Sequence, residues 1–176
     1  MSATTPFLQK VSKLLKVPIS NIIQAPGLVI SCTINGKTFS GTLNIISTLL
    51  TASKSNLAGK DDLEKLQIYQ WIEYAMVYAV QCNSVHNIQQ ILTELNSVLA
   101  ERTFIASYGN ITIADVLLYY ILHGLMESLV YLEKEKFIHV SRWFNNIQQD
   151  SNIRQNNKII DFRSNFLVNL APARHF

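Results

Sequence analysis

A chain of 176 residues that is 48% apolar and only 15% charged is long enough to bury one substantial core or two small ones, and carries fewer charges than an average domain. A formal charge of +3, spread thinly, does not by itself mark a nucleic-acid binder, and the two cysteines, Cys32 and Cys82, are too far apart for a Cys-x-x-Cys zinc site or a disulfide framework. No signal peptide precedes Pro6 and Asp115, His123 and Glu127 interrupt the most apolar run, so a soluble cytoplasmic protein without a membrane span is expected, with a nuclear role left open.

Thr5-Pro6 opens a first helix, with Pro6 where its missing N–H costs nothing, and Phe7, Val11, Leu14 and Leu15 line one face before Pro18 closes it. Lys10, Lys13 and Lys16 recur at helical spacing along it, a stripe that reads as a solvated face before it reads as a tRNA contact. After a loop through Pro26 and Gly27, Leu28 to Ile34 has strand character, Asn35-Gly36 is a strong hairpin signal, and Lys37 to Ser40 forms the return strand. Leu43, Ile46, Leu49 and Leu50 resume helical spacing, and the polar stretch from Thr51 to Lys60 reads as a linker.

Asp61 and Glu64 form a capping-box pattern that opens a helix running to about Cys82. Two apolar stripes lie on it: Ile68, Trp71, Ile72, Ala75 and Ala79 on one side, Leu66, Tyr69, Met76 and Val80 on the other. One core cannot take both, so the second stripe is covered either by another part of the chain or by a partner. The next helix, Val85 to Glu101, is cleanly amphipathic through Ile88, Ile91, Leu92, Leu95, Val98 and Leu99.

Asn110 to Leu122 then opens the central helix. Thr112 is its N-cap, the Asp115 carboxylate reaches back to the Thr112 amide, and Ile111 and Val116 are placed as a hydrophobic staple. From Ile113 to Leu132 only Asp115 and Glu127 are charged, as expected of a helix enclosed by others. Capping consumes the hydrogen-bonding capacity of Asp115, which argues against a catalytic role for it. Glu133 to Lys136 is a charged junction, a short helix follows with Val140, Trp143, Phe144 and Ile147 around Arg142, and Ile159, Ile160, Phe162, Phe166 and Leu167 suggest a closing segment. Trp143, by size and spacing, belongs to the core.

A small α/β unit, a linker and a helical unit built round Thr112-Ile113-Ala114-Asp115 resemble the layout of the glutathione transferase family. The fold class expected is α+β, mostly α: a reduced thioredoxin-like subdomain over 1–52, a linker over 53–60 and an all-helical domain over 61–170. The ordered set Gln70 to Tyr74, Ile113 to Tyr120, Glu133 to Lys136, Val140 to Phe144, Ile147-Gln148 and Ile153 to Gln155 resembles one branch more closely. That branch is the elongation factor 1 epsilon group of non-catalytic subunits in the multi-aminoacyl-tRNA synthetase complex. The resemblance implies a scaffold that docks the transferase-like domains of methionyl-tRNA synthetase and of glutamyl-prolyl-tRNA synthetase, other subunits of the complex remaining open as partners.

Measured against the catalytic members, three parts of the thiol site are altered. The short stretch before Pro6 leaves no room for the strand that carries their activating Tyr, Ser or Cys. Val29 or a neighbour stands where they place a cis-proline, and Ser40-Gly41-Thr42 lacks the acidic residue that holds the γ-glutamyl end. No enzyme activity, cofactor or metal is therefore expected; His86, His123, His139 and His175 lack ligand spacing, and His123 with Glu127 is only a two-donor pair. Cys32, within an apolar strand, should be unreactive. The family's pairing habit assigns Leu66, Tyr69, Glu73, Met76 and Val80 to a face for the methionyl-tRNA synthetase domain. Arg142 is assigned to a second face for the glutamyl-prolyl synthetase domain, unless it ties down a neighbouring loop through Asp150 or Glu133. Two other readings stay open: a glutathione-binding transferase-like enzyme and a tRNA-binding accessory protein whose affinity would fall steeply with salt.

Overall fold

A computed structural model of the chain describes residues 5–24, 29–80 and 84–162. Helix α1 (Thr5–Leu15) leads into a three-stranded antiparallel sheet, β1 (Ile19–Gln24), β2 (Ile30–Ile34) and β3 (Lys37–Ser40), in the order β1-β2-β3. Asn35 and Gly36 both take left-handed φ, +50° and +78°, as a tight two-residue hairpin turn requires. On β2, Ile30, Cys32 and Ile34 are buried in alternation, and α2 (Thr42–Ser53) packs against this strand. Burial pushes the Cys32 thiol up, which keeps it protonated and inert. Expected residues Pro26, Gly27, Leu28, Cys82, Phe166, Leu167 and His175 lie outside the described residues.

The strand β1 is absent from the sequence reading. Ser20 and Asn21 break its apolar alternation, and the register shifts between Ser20 and Ile23 with Asn21 at φ +49°, so the period-2 signal is erased by a bulge. The expected linker is likewise more ordered than its composition suggests: α2 extends to Ser53 and a 3₁₀ turn follows at Asn56–Ala58.

Helix α3 (Asp62–Tyr74) is capped by Asp61, whose Oδ1 accepts from the Glu64 amide at 2.8 Å, while Glu64 accepts from Lys60 rather than from Asp61. It does not run on as a regular helix. Ala75–Ala79 forms a π turn closed by Val80 N–H donating to Ala75 O at 2.9 Å. Then come α4 (Val85–Ala100), α5 (Ile113–Ser128), α6 (Tyr131–Lys136), α7 (Ile138–Gln149) and the single turn α8 (Ser151–Arg154). The charged junction at Glu133 to Lys136 is thus itself a helix, started by Glu133 accepting from the Val130 amide.

Helix α5 is the core post, with α1, α3, the π turn and α7 packed around it and ten of its sixteen residues buried. Of its capping box the return half is formed, the Asp115 carboxylate accepting from the Thr112 amide, while the Thr112 hydroxyl donates to that carboxylate. Asp115 does more than cap: Oδ2 accepts from the Thr112 amide (3.0 Å) and hydroxyl (2.7 Å), and Oδ1 from the Ile105 amide (2.8 Å) and the Trp143 indole N–H (2.9 Å). One fully buried carboxylate therefore joins the loop before α5, its first turn, and α7. Burial pushes this carboxyl up, and its four donors oppose the rise. Of the two staple positions, Val116 is buried and Ile111 half-buried against the core.

The segment after α7 is laced back by side chains. The Tyr120 hydroxyl donates to Ile153 O (2.7 Å), and Gln148 exchanges two hydrogen bonds with the Ile160 backbone. His123 contacts Lys158 O at 3.0 Å and Glu127 pairs with the Lys158 ammonium at 3.4 Å, so these two residues engage one chain segment. Among the described residues no helix is long and apolar enough to cross a membrane.

Candidate docking surfaces

The two stripes on the helix after Asp61 separate as periodicity demands. Ile68, Ile72, Ala75 and Ala79 are buried against the core, and Trp71 is half-buried. On the opposite side Leu66 is 65% exposed and Glu73 lies open, while Tyr69, Met76 and Val80 are only half-buried. Regular spacing accounts for most of the split: at about 100° per residue Val77, 50% exposed, falls beside Leu66, whereas Tyr69 and Met76 lie on the flank nearer the core, and the wider π turn carries Val80 further that way. Leu63, 67% exposed, and Val77 both lie within about 60° of Leu66 at this spacing and join the face.

Helix α2 lies beside α3 but adds no apolar area. Ile45, Ile46, Leu49 and Leu50 all point into the core, and the outward Thr48 and Thr51 hydroxyls bond back to Asn44 O and Ser47 O of their own helix. Of these two neighbouring elements, only α3 with its π turn presents exposed large apolar side chains.

Arg142 sits on the exposed side of α7, yet it is engaged. Its Nη2 donates to Leu99 O at 2.6 Å and to Arg102 O at 2.9 Å, carbonyls at the C-terminal end of α4 that have no helical partner. Asn96 of α4 reciprocates: its Oδ1 accepts from the His139 and Val140 amides at the start of α7, where Phe137 at the cap position has no oxygen to offer. The α4–α7 seam is therefore cross-capped, and Arg142 ties down a helix end through carbonyls instead of through Asp150 or Glu133. Arg142→Ala is expected to cost about 1–2 kcal/mol, the low end for charged hydrogen bonds at an exposed guanidinium, and to lower the thermal midpoint by roughly 4 °C. Differential scanning calorimetry checks this; an unchanged midpoint would free Arg142 for a purely external role. Trp143 is fully buried, as its size and spacing implied.

At the N-terminal end of α1 a cavity of about 120 Å³ is lined by Pro6, Phe7, Lys10, Val80, Tyr120 and Ile121. Its polar groups are already occupied: Lys10 donates to Asn157 and lies over the Tyr120 ring, and the Tyr120 hydroxyl serves Ile153. This also breaks the expected lysine stripe, since Lys10 is half-buried, its pKa lowered by that burial, and only Lys13 and Lys16 remain exposed.

A family model described as "Nuclear-export cofactor Arc1p" matches residues 64–151, and the eukaryotic translation elongation factor 1 epsilon-1 of Cricetulus griseus is 40% identical over 134 residues, 76% of each chain. The chain belongs to the elongation factor 1 epsilon-1 family. A more distant relative, the tRNA-aminoacylation cofactor arc1 of Schizosaccharomyces pombe, is 29% identical over 68% of this chain and 25% of its own length.

Solved structures establish that the elongation factor 1 epsilon-1 family member described here has the glutathione transferase-like fold. A glutathione S-transferase from Pichia kudriavzevii superposes with a TM-score of 0.70 at 20% identity, over 86% of this chain and 92% of that one. The transferase-like domain of elongation factor 1-gamma from Saccharomyces cerevisiae gives 0.67 at 19% identity, over 91% of both. A chain from binary sub-complexes of the yeast aminoacyl-tRNA synthetase complex gives 0.59 at 20% identity, over 87% and 82%. The family match at 64–151 takes in Leu66, Glu73 and Val77 of the outward face of α3, but not Leu63, and the α4–α7 seam.

Proposed function

We propose that this member of the elongation factor 1 epsilon-1 family is a non-catalytic scaffold of an aminoacyl-tRNA synthetase assembly, binding the transferase-like domain of methionyl-tRNA synthetase through the outward face of α3. The observation that carries the reading is that this face, Leu63, Leu66 and Val77 around Glu73, is apolar and uncovered by the described residues. Two exposed leucines and a valine on one helix face present more apolar surface than solvent favours, which is the mark of an interaction site. The names of its relatives, a translation elongation factor subunit and a tRNA-aminoacylation cofactor, support partners from the same machinery. A second domain, that of glutamyl-prolyl-tRNA synthetase, is assigned to the α7 side, where Ile138 is exposed near Arg142.

Support for the absence of catalysis comes from three places. The cavity at α1 is small, Lys10 and Tyr120 within it are spent on internal contacts, and Val29 and Ser40-Gly41-Thr42 offer neither a proline nor a charge to a γ-glutamyl peptide. The division of labour follows that proposed boundary, a thioredoxin-like unit to about residue 52 and a helical unit from 61 that carries both faces. The test is co-purification of the chain with the isolated transferase-like domain of methionyl-tRNA synthetase by size-exclusion chromatography. A stoichiometric complex supports the scaffold; separate elution together with retention on immobilised glutathione overturns it.

A further inference from the structure

Between the π turn and α4 runs a groove of about 530 Å³ lined by Tyr74, Val77, Tyr78, Gln90, Ile91 and Glu94, with Asn87 at its end. One of its lining groups is a carboxylate held in place although its residue is exposed. The Tyr74 hydroxyl donates to Glu94 Oε2 at 2.6 Å and the Gln90 amide to Oε1 at 3.0 Å, and these two bonds hold the carboxyl below its ordinary value. Among the described residues no lysine, arginine or histidine is paired with it. The walls are aromatic: Tyr74 and Tyr78 lie 5.2 Å apart with rings tilted at 43°, and Trp71 meets Tyr74 edge-on at 5.1 Å.

We propose that this groove receives an arginine side chain from the protein docked on α3, the guanidinium stacking on the exposed ring of Tyr78 and bonding to Glu94. The inference rests on the docking reading above and deepens it. Charge complementarity selects the occupant: an ionised carboxylate, fixed in one orientation by neutral donors, has its attraction for a cation left unspent. Each carboxylate oxygen accepts two hydrogen bonds and has so far taken one, so a fork of two N–H groups can still be satisfied. Arginine fits better than lysine because its planar, weakly hydrated guanidinium stacks on rings while donating in its own plane. Val77 lines both the groove and the outward α3 face, so a partner seated on Leu66 and Val77 reaches the groove without leaving its footprint.

The pocket can be tested without the partner. The full chain, labelled with ¹⁵N, is titrated with N-acetyl-arginine methylamide and, separately, with the citrulline analogue, which has the same shape and no charge. The arginine compound is expected to shift the amides of Tyr74, Tyr78, Gln90 and Glu94, the citrulline compound to leave them in place, and Glu94→Gln to weaken arginine binding about tenfold, the low end for charge-assisted bonds. Tyr74→Phe, which keeps the ring and releases Oε2, is expected to weaken it less. Equal shifts with both compounds, or full shifts in Glu94→Gln with its fold intact by circular dichroism, would overturn the proposal. Leu66→Glu separates the two ideas: it should retain the arginine-induced shifts, and retention of the synthetase domain by that same variant would count against the docking face alone.

Discussion

Leu66→Glu combined with Val77→Glu is expected to abolish co-purification with the methionyl-tRNA synthetase domain while the far-ultraviolet circular dichroism and the thermal midpoint stay close to the parent. Both side chains are at least half exposed in the free chain, so replacing them removes little from the core. In a complex each would lose its remaining exposure. Full burial of such a side chain is worth roughly 1.5–3 kcal/mol, and about half of that is still to be gained on docking. Two glutamates also bring charge into what should be the dry centre of an interface, beside Glu73. A combined loss of about 3 kcal/mol corresponds to roughly a hundredfold weaker association, enough to empty a chromatographic complex at micromolar concentration. Isothermal titration calorimetry would register the loss directly. Met76 is a poorer target, because it is half-buried against the core and its replacement would confuse folding with binding.

Asp115→Ala carries the largest effect expected on stability. The substitution strands the Ile105 and Thr112 amides, the Trp143 indole N–H and the Thr112 hydroxyl, all arranged around one buried carboxylate. Each buried donor left unpaired costs about 1–3 kcal/mol; because water can enter the vacated space, a net loss of about 4 kcal/mol is expected, or roughly a 10 °C drop in thermal midpoint for a chain of this length. Hydrogen exchange gives a sharper readout. The Ile105 amide and the first turn of α5 should lose protection together, since one group serves both. Asp115→Asn should recover only part of the loss, because its amide nitrogen must face at least one of the same donors. A midpoint unchanged in both variants would mean that the knot is dispensable.

These two residues show how unevenly the chain discloses itself. The role of Asp115 as a cap is written in its distance from Thr112, three residues away, and the hairpin at Asn35-Gly36 is equally local. Its bonds to Ile105 and Trp143 lie ten and twenty-eight residues off, and no spacing rule points to them. Arg142 was legible as an unusual residue but not as a helix-end clamp, for Leu99 and Arg102 are some forty residues before it. The strand β1 escaped notice because a bulge at Asn21 destroyed the alternation that would have revealed it.

By itself, then, the order of residues determined the helical periodicities, the capped central helix, the hairpin and the family, because each depends on neighbours within one or two turns or on motifs kept in sequence. Only the tertiary structure decided which side of α3 the rest of the chain leaves open, that Met76 is half-buried while Val77 stands exposed on it, and that Glu94 meets Tyr74 across a groove. Those outcomes depend on how separate helices pack against α5, where a rotation of about 100°, one residue, changes which side chains meet water, and that rotation is set by contacts between residues far apart in the chain.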